Sequence, residues 1–498
     1  MGNILGISAG FHDAGVSVIN RDGDILFAGH SERYSKQKHD ANLCYDILEE
    51  ATSYGDIDTI AYYENHWLKK FRQLRSGERI TQWDFSLRDV LSKQFVGHEN
   101  LLYKTKLKQY THHKSHAAAG FQTSPYDDAT VVVIDAIGEL DTISIWHAEY
   151  NKHGIAKYKK LWGMKYPQSI GLFYSAFTQR CGLRPLDEEY ILMGMVGWGK
   201  PHYTKEIMNE FVESLNPPKF KHNLHIGTGT FLDDKANLEN IAASTQEITE
   251  TMIYHIMSKA RQIGKSKNLV YMGGVALNCL ANRNLGNFYD NIWIMPNPGD
   301  AGSSLGAAAL AYGRQINWEN AFLGTDIPGE YPVKALLDEL LSTKIVGVAS
   351  GRAEFGPRAL GTRSLLADPR GPDIKDKVND IKRRQRFRPF APVILEEHAH
   401  EYFDMPRGFE TSPYMQVVAR CRRPGDFPAI IHVDGTSRVQ TVPRYEDSGI
   451  RKLLEHWYAL TGCPMLLNTS LNIRGEPMVN NRKDADRFEK KYGVKVCS

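Results

Sequence analysis

Cysteine is scarce in this chain. Six residues among 498, at positions 44, 181, 279, 421, 463 and 497, are widely scattered, and no two form a Cys-x-x-Cys pair. That excludes a disulfide framework and a thiolate zinc cage, and it points to reduced thiols in a cytosol. No apolar run approaches the roughly 18 residues of a membrane span. Met1 leads directly into Asn3-Ile4-Leu5-Gly6 and polar residues, without the basic and apolar regions of a secretion signal. The expectation is a soluble, cytoplasmic protein, in a host's cytoplasm if the chain is viral. A strong charge of either sign is missing as well. The net charge is +3 and the pI about 8.3, so no global field demands a nucleic-acid partner. With 42% hydrophobic and 24% charged residues the composition is that of an ordinary globular protein, and 498 residues exceed a single core.

Against that background, four metal-ligand-type residues stand out. Thr111-His112-His113-Lys114-Ser115-His116 places His112 and His116 four apart, ahead of a helix-favouring Ala117-Ala118-Ala119. On a helix this spacing puts both imidazoles on one face, with His113 turned elsewhere. A His-x-x-x-His pair more often marks a solvated helix face than a metal site. Two acidic residues change the balance: Asp135 ends the apolar run Val131-Val132-Val133-Ile134, and Asp300 opens a turn into an apolar segment. Strand ends and such turns are where α/β folds place ligand groups. Two nitrogens and two carboxylates suit Fe(II), Mn(II) or Zn(II). A metalloprotease is disfavoured, because the glutamate of His-Glu-x-x-His is absent.

The opening, NILGISAGFHDAGVSVINRDGDILFAGHSER, reads as three short strands separated by glycine turns, and ATVVVIDAIGELDTISIWHAEYNKHGIAKYKKLW echoes it. Two such openings, each followed by helices, mark the actin-like ATPase fold, in which two ribonuclease-H-like halves clamp a nucleotide. LVYMGGVALN adds a strand running into Gly273-Gly274 and a helix, where backbone N–H groups can approach a nucleotide. Near residue 335 the chain changes character. Beyond it lie Arg352, Arg358, Arg363, Arg370, the run Lys382-Arg383-Arg384-Gln385-Arg386-Phe387-Arg388, Arg438 and Arg474. A charge run is usually a solvated face. Arginines fixed beside glycine and proline are instead suited to grip phosphate or carboxylate oxygens.

GISAGFHDAGVSVI, SERYSKQKHD, HHKSHAAAGF, IDAIGE, GGVALN and NPGDAGSSLGAA resemble the amino-terminal domain of NodU/CmcH-type O-carbamoyltransferases. GRAEFGPRALGTRSLLADPR, FRPFAPVILEE, DGTSRVQTV and LLNTSLNIRGEP resemble their carboxy-terminal domain. The resemblance implies an α/β protein with a Kae1-like, actin-like domain over residues 1–337 and a YrdC-like α/β domain over 338–498. It implies that the second domain joins carbamoyl phosphate to ATP, with Mg(II), releasing pyrophosphate and forming carbamoyl adenylate. The first would then move the carbamoyl group to an acceptor hydroxyl. By motif match, His112, His116, Asp135 and Asp300 would hold an iron-type ion. Lys38, Arg358, Arg388, Arg438, Asn468 and Ser470 would hold ATP and carbamoyl phosphate, and Gly138, Gly273, Gly274 and Asn278 the adenylate. His12, in the first turn, is the candidate base for the acceptor alcohol; its bland reading is a hydrogen-bonded turn histidine. Two departures from the family pattern are visible. Glu-Tyr-Lys-x-Met-Gly reads Glu189-Tyr190-Ile191-Leu192-Met193-Gly194, and the tail after Glu476-Pro477 is short, so that the closing strand is expected to be curtailed.

The acceptor is not written in these motifs. A small hydroxylated metabolite (sugar, antibiotic or toxin) is one expectation. A 5-hydroxymethyl pyrimidine in DNA or RNA is the other, suggested by Lys69-Lys70-Phe71-Arg72-Gln73-Leu74-Arg75 and Lys104-Thr105-Lys106-Leu107-Lys108 with the nearby rings of Trp67, Phe71, Trp83, Phe85, Tyr103 and Tyr110. Amphipathic helices with lysine outside and rings inside look the same. The alternatives to carbamoyl transfer are a tRNA threonylcarbamoyl-adenosine-type synthase and an actin-like nucleotide-binding module that transfers nothing. A homodimer is the assembly the resemblance suggests.

Overall fold

A computed structural model of the chain describes residues 2–77, 84–232, 236–385 and 388–498. Trp83, and Arg386-Phe387 of the basic run, lie outside the described residues.

The glycine turns of the opening produce the expected three strands, β1 (Asn3–Ser8), β2 (Gly15–Ile19) and β3 (Ile25–His30), paired antiparallel. β4 (Ile57–Tyr62) and β5 (Lys106–Gln109) add in parallel, giving the order β3-β2-β1-β4-β5. Every residue of β2 is buried, because both faces of the sheet are covered. The second sheet repeats the plan. β6 (Asp128–Ile134), β7 (Asp141–Tyr150) and β8 (Ala156–Lys165) run antiparallel, and β9 (Asn268–Met272) and β10 (Asn291–Trp293) extend the sheet in parallel on the β6 side. The sequence echo is therefore a duplication of topology, and the two sheets are the ribonuclease-H-like halves of an actin-like fold.

Two helices fill the space between the sheets. α1 (His112–Thr123) packs on the second sheet, where a Cβ on Gly120 would meet Val270 and Met272. α2 (Ser303–Tyr312) packs on β1, where a Cβ on Gly6 would lie 2.0 Å from the Ser304 carbonyl. α1 and α2 also touch each other at Gly306, whose missing Cβ would fall 1.8 Å from the Ser115 carbonyl oxygen. Only glycine permits that approach. It sets the start of α2, and with it Asp300, beside the first turn of α1.

The last part of the chain builds a six-stranded sheet in the order 440–442, 391–395, 465–470, 363–367, 345–349, 496–497. Its core gathers Leu336, Val346, Leu365, Val393, Leu454, Trp457 and Leu466. The closing strand is present but short: Val496–Cys497 pairs in parallel with Gly347 and Val348. Three of the arginines here are engaged within the fold. Arg352 donates to the carbonyls of Leu26 and Leu323, Arg363 to those of Asn480, Gly351 and Thr325, and Arg370 pairs with Asp368. These three hold the chain together. Arg33, fully buried, donates to the Gly356 carbonyl at 3.0 Å and ties the first sheet to this region. Among the described residues no helix is long and apolar enough to cross a membrane.

Candidate active sites

His112 and His116 share one face of α1, Asp135 follows the last residue of β6, and Asp300 begins the turn into α2. One ligand atom from each of the four lies within 4.8 Å of the others. The two Nε2 atoms are 3.0 Å apart; His112 Nε2 stands 3.0 Å from Asp135 Oδ2 and 3.3 Å from Asp300 Oδ1, and His116 Nε2 stands 3.3 Å from the same Asp300 oxygen. Donors on bonds of about 2.1 Å around one ion sit about 3.0–3.4 Å apart, so the spacing fits a shared cation. All four side chains are buried, and Asp300 Oδ1 has no hydrogen-bond donor. Burial alone would deprotonate the imidazoles. The carboxylates of Asp300 and Asp135 instead hold both above the ordinary histidine range, and the imidazoles hold both carboxylates below theirs. Second partners fix the orientation: Ser303 Oγ meets His116 Nδ1 at 3.0 Å, and Gly274 N–H donates to Asp135 Oδ1 at 3.1 Å. Glu139 Oε1 accepts from the backbone N–H groups of His112 and Asn65, capping α1 from a distance. His113 points away, hydrogen-bonded to Ser144 Oγ and kept neutral by burial and by His112.

His12 lies at the edge of this cluster, with Nε2 3.7 Å from Asp300 Oδ2 and Nδ1 2.8 Å from Asp13 Oδ2. Burial works against its charge, but Asp300 and Asp13 overcome that and raise its pKa to about 9. Asp13 also meets His39 Nδ1 at 2.8 Å and His30 Nε2 at 3.3 Å. Sequence reasoning does not single out Asp13, His39, Glu139 or Asp187, although the first three stand inside quoted motifs.

A second site lies in the C-terminal region. Arg358, Arg384, Arg388 and Arg438 gather with no carboxylate paired to any of them among the described residues. Burial, and in three of them neighbouring guanidinium charges, depress all four below the usual arginine range, Arg358 to about 9. Arg438 Nε and Asn468 Oδ1 are buried without a hydrogen-bond partner. Buried cations that repel one another in this way call for an anion. Arg384 is held by Asn379 Oδ1 at 2.6 Å and stacks on Phe390 with 4.0 Å to the ring centroid. Lys382 is committed to the 470–472 loop through the Ser470 and Asn472 carbonyls, and Ser470 Oγ donates to Asn472 Oδ1 at 2.6 Å. Lys38 reaches this region from the first half of the chain: its charge, after burial and the arginines, helps depress Lys382.

In the glycine-turn group, which the family resemblance assigns to the adenylate, the backbone donors have partners within the fold. Gly273 N–H donates to the Pro298 carbonyl, Gly138 N–H to the Asp141 carbonyl and Gly274 N–H to Asp135. Asn278 exchanges both amide groups with Gln246 and caps Ala281. These donors are used inside the fold, because the turn folds back onto β6. Gly273, at φ +91°, would put a Cβ 2.2 Å from the Ile134 carbonyl. The turn lies between the two clusters: Gly274 contacts Asp135, and Ala276 and Leu277 line a small cavity together with Arg358. Tyr190 faces the same arginines, with Arg388 stacked 4.8 Å from its centroid, whereas the neighbouring Ile191 is buried.

The basic stretches are largely spoken for. Lys69 pairs with Glu64 and Lys70 with Asp84, and Arg72 stacks on Tyr166. Lys106 and Lys108 occupy an edge strand, where lysine prevents further pairing. Trp67, Phe71, Phe85 and Tyr103 are exposed, while Tyr110 packs on the first core.

Two family models match the chain: one described as carbamoyltransferase N-terminus over residues 3–309, and one described as carbamoyltransferase C-terminus over residues 337–497. Among relatives, an uncharacterized protein of Synechocystis sp. is 32% identical, with 98% of this chain and 94% of the relative covered. Nodulation protein NolNO of Sinorhizobium fredii is 30% identical, covering 97% and 77%. The 3'-hydroxymethylcephem-O-carbamoyltransferase of Amycolatopsis lactamdurans is 27% identical, covering 97% and 95%.

Proposed function

The chain belongs to the carbamoyltransferase family, and from that premise we propose that it is an ATP-dependent O-carbamoyltransferase working in two steps at two sites. In the first step the region 338–498, read as YrdC-like, takes carbamoyl phosphate, ATP and one water to carbamoyl adenylate, orthophosphate and pyrophosphate. Arg358, Arg384, Arg388 and Arg438 orient the anionic substrates and neutralise their charge, with Asn468, Ser470 and Lys38 alongside. In the second step the carbamoyl group passes from the adenylate to an acceptor hydroxyl in the region 1–337, and AMP leaves. An Fe(II)-type ion (Mn(II) and Zn(II) being the alternatives) held by His112, His116, Asp135 and Asp300 would supply Lewis acidity to a carbamoyl or phosphate oxygen. His12 takes the acceptor proton. Neutralising Asp300, the strongest of the charges raising its pKa, brings the ring toward the pH at which it can act as a base.

The observation that carries this reading is the pairing of two incomplete sites. Four convergent nitrogen and oxygen donors call for a cation, and across the turn at 273–277 guanidiniums with no carboxylate partner among the described residues call for an anion. A nucleotide-binding module without transfer chemistry has no use for the second site.

For the acceptor, the cephem relative's name specifies a hydroxymethyl group, and by analogy this chain's acceptor is a hydroxymethyl-bearing ring compound of small size. The exposed rings of Trp67, Phe71, Phe85 and Tyr103 favour a second reading, a 5-hydroxymethyl pyrimidine within nucleic acid. The test is mass spectrometry of small-molecule and oligonucleotide acceptor panels incubated with enzyme, ATP, carbamoyl phosphate and Fe(II). A carbamoyl mass gain on one panel assigns the class, and no gain on either rejects the transfer reading.

A further inference from the structure

His39 is a non-glycine residue in the left-handed region, at φ +54°, and it contacts a second one, Asp13, at φ +52°. Each such conformation costs on the order of 1 kcal/mol and persists only where its surroundings demand it. Here the surroundings are explicit. The turn carrying Asp13 is stapled to the chain just after His39, with Gly10 N–H donating to the Ala41 carbonyl and Ala14 N–H to the Asp40 carbonyl, both at 2.7 Å. The His39 ring bridges two carboxylates, with Nδ1 2.8 Å from Asp13 Oδ1 and Nε2 2.7 Å from Asp187 Oδ1. A ring between two carboxylates donates from both nitrogens and is an imidazolium. Consistently, the two aspartates overcome burial and raise its pKa to about 10.

Asp187 belongs to the second half of the fold, and Arg184 Nη2 steadies its other oxygen at 2.8 Å. The contact therefore crosses between the halves. The residues after Asp187 continue into the C-terminal region, Glu188 pairing with Arg474 at 3.0 Å and Tyr190 stacking with Arg388. At the other end of the chain of contacts, Asp13 Oδ2 engages His12 Nδ1 and leaves Nε2 facing the metal-type cluster.

We propose that His39 and Asp187 are positioning residues for carbamoyl transfer: the bridged His39 ring fixes Asp13, and Asp13 sets the tautomer and direction of His12. This rests on the reading of His12 as the acceptor base. The arrangement follows the logic by which a carboxylate orients a catalytic imidazole, extended by one histidine and one carboxylate into the opposite half of the fold.

The test compares His39→Gln, Asp187→Asn, His12→Gln and the double variant His12→Gln/His39→Gln. Each is assayed for transfer and for carbamoyl-phosphate-dependent pyrophosphate release. His39→Gln and Asp187→Asn are expected to lower kcat for transfer roughly 10- to 100-fold with the acceptor KM unchanged, the range seen when partners of an oriented imidazole are removed. Pyrophosphate release should stay at the wild-type rate, which also reports an intact fold. The double variant should be no slower than His12→Gln alone, because residues acting through one another are not additive. A structural role would instead add its own loss. If His39→Gln disturbs folding, Asp187→Asn, which keeps the side-chain shape, decides. Wild-type transfer by His12→Gln overturns the base reading itself. An impaired His12→Gln beside unimpaired His39→Gln and Asp187→Asn, or multiplying losses in the double variant, overturns this inference alone.

Discussion

The Nε2 atoms of His112 and His116 face each other at 3.0 Å, with carboxylate oxygens of Asp135 and Asp300 within 3.5 Å of both. The carboxylates hold both imidazoles above the ordinary histidine range, so a bound cation competes with protons for the same nitrogens. Metal affinity should therefore fall as the pH is lowered, and binding should release protons. His116→Ala should abolish the bound divalent ion and carbamoyl transfer while leaving pyrophosphate release intact. Metal analysis of the purified variant, together with the two assays, checks this. Equal loss of both activities would mean that the two sites are not separable.

The guanidinium cluster should carry a stability cost that its ligands relieve. Arg438→Met removes a buried cation whose charge depresses Arg358, Arg384 and Arg388, so the ligand-free variant should melt higher than the wild type. The same variant should lose the upward shift that ATP gives the wild type, and its pyrophosphate release should drop by roughly 10-fold or more, the worth of one charge-assisted hydrogen bond. Thermal melts with and without ATP read both effects.

Gly306 is the hinge of the helix pair. Gly306→Ala would force its Cβ into the Ser115 carbonyl and part α1 from α2. A loss of about 2–4 kcal/mol in unfolding free energy is expected, with weakened metal binding because Asp300 is displaced from the histidines. Denaturant titration and metal analysis test the two consequences together.

His39 gives a pH signature. Its folded pKa of about 10 lies above the unfolded value of about 6.5, so its contribution to stability is complete below pH 6.5 and is lost as the pH rises through 10. Wild type should lose more thermal stability between pH 7 and 10 than His39→Gln. Identical pH profiles would contradict the bridged imidazolium.

The fold was legible where glycine turns and apolar runs repeat, since both sheet openings announce themselves at residues 3–30 and 128–165. The metal-type cluster was legible because a helical His-x-x-x-His pair and acidic residues ending a strand or opening a helix are local patterns. What remained hidden depends on distance along the chain. His39 and Asp187 are 148 residues apart, and nothing near either one signals the other. Burial was equally invisible: among the arginines beyond residue 340, Arg352 and Arg363 serve backbone carbonyls and Arg358 and Arg438 do not, though all stand in similar turn-rich motifs. The partners of the glycine turn at 273–274 are equally remote in sequence: its N–H groups donate to the Pro298 carbonyl and to Asp135.

The most direct test of the two-site account is pyrophosphate release from ATP, measured with and without carbamoyl phosphate, in wild type, Arg358→Ala and His116→Ala. Release is expected to require carbamoyl phosphate in the wild type, to survive in His116→Ala and to be lost in Arg358→Ala. Release by Arg358→Ala at the wild-type rate, or release indifferent to carbamoyl phosphate, would contradict it.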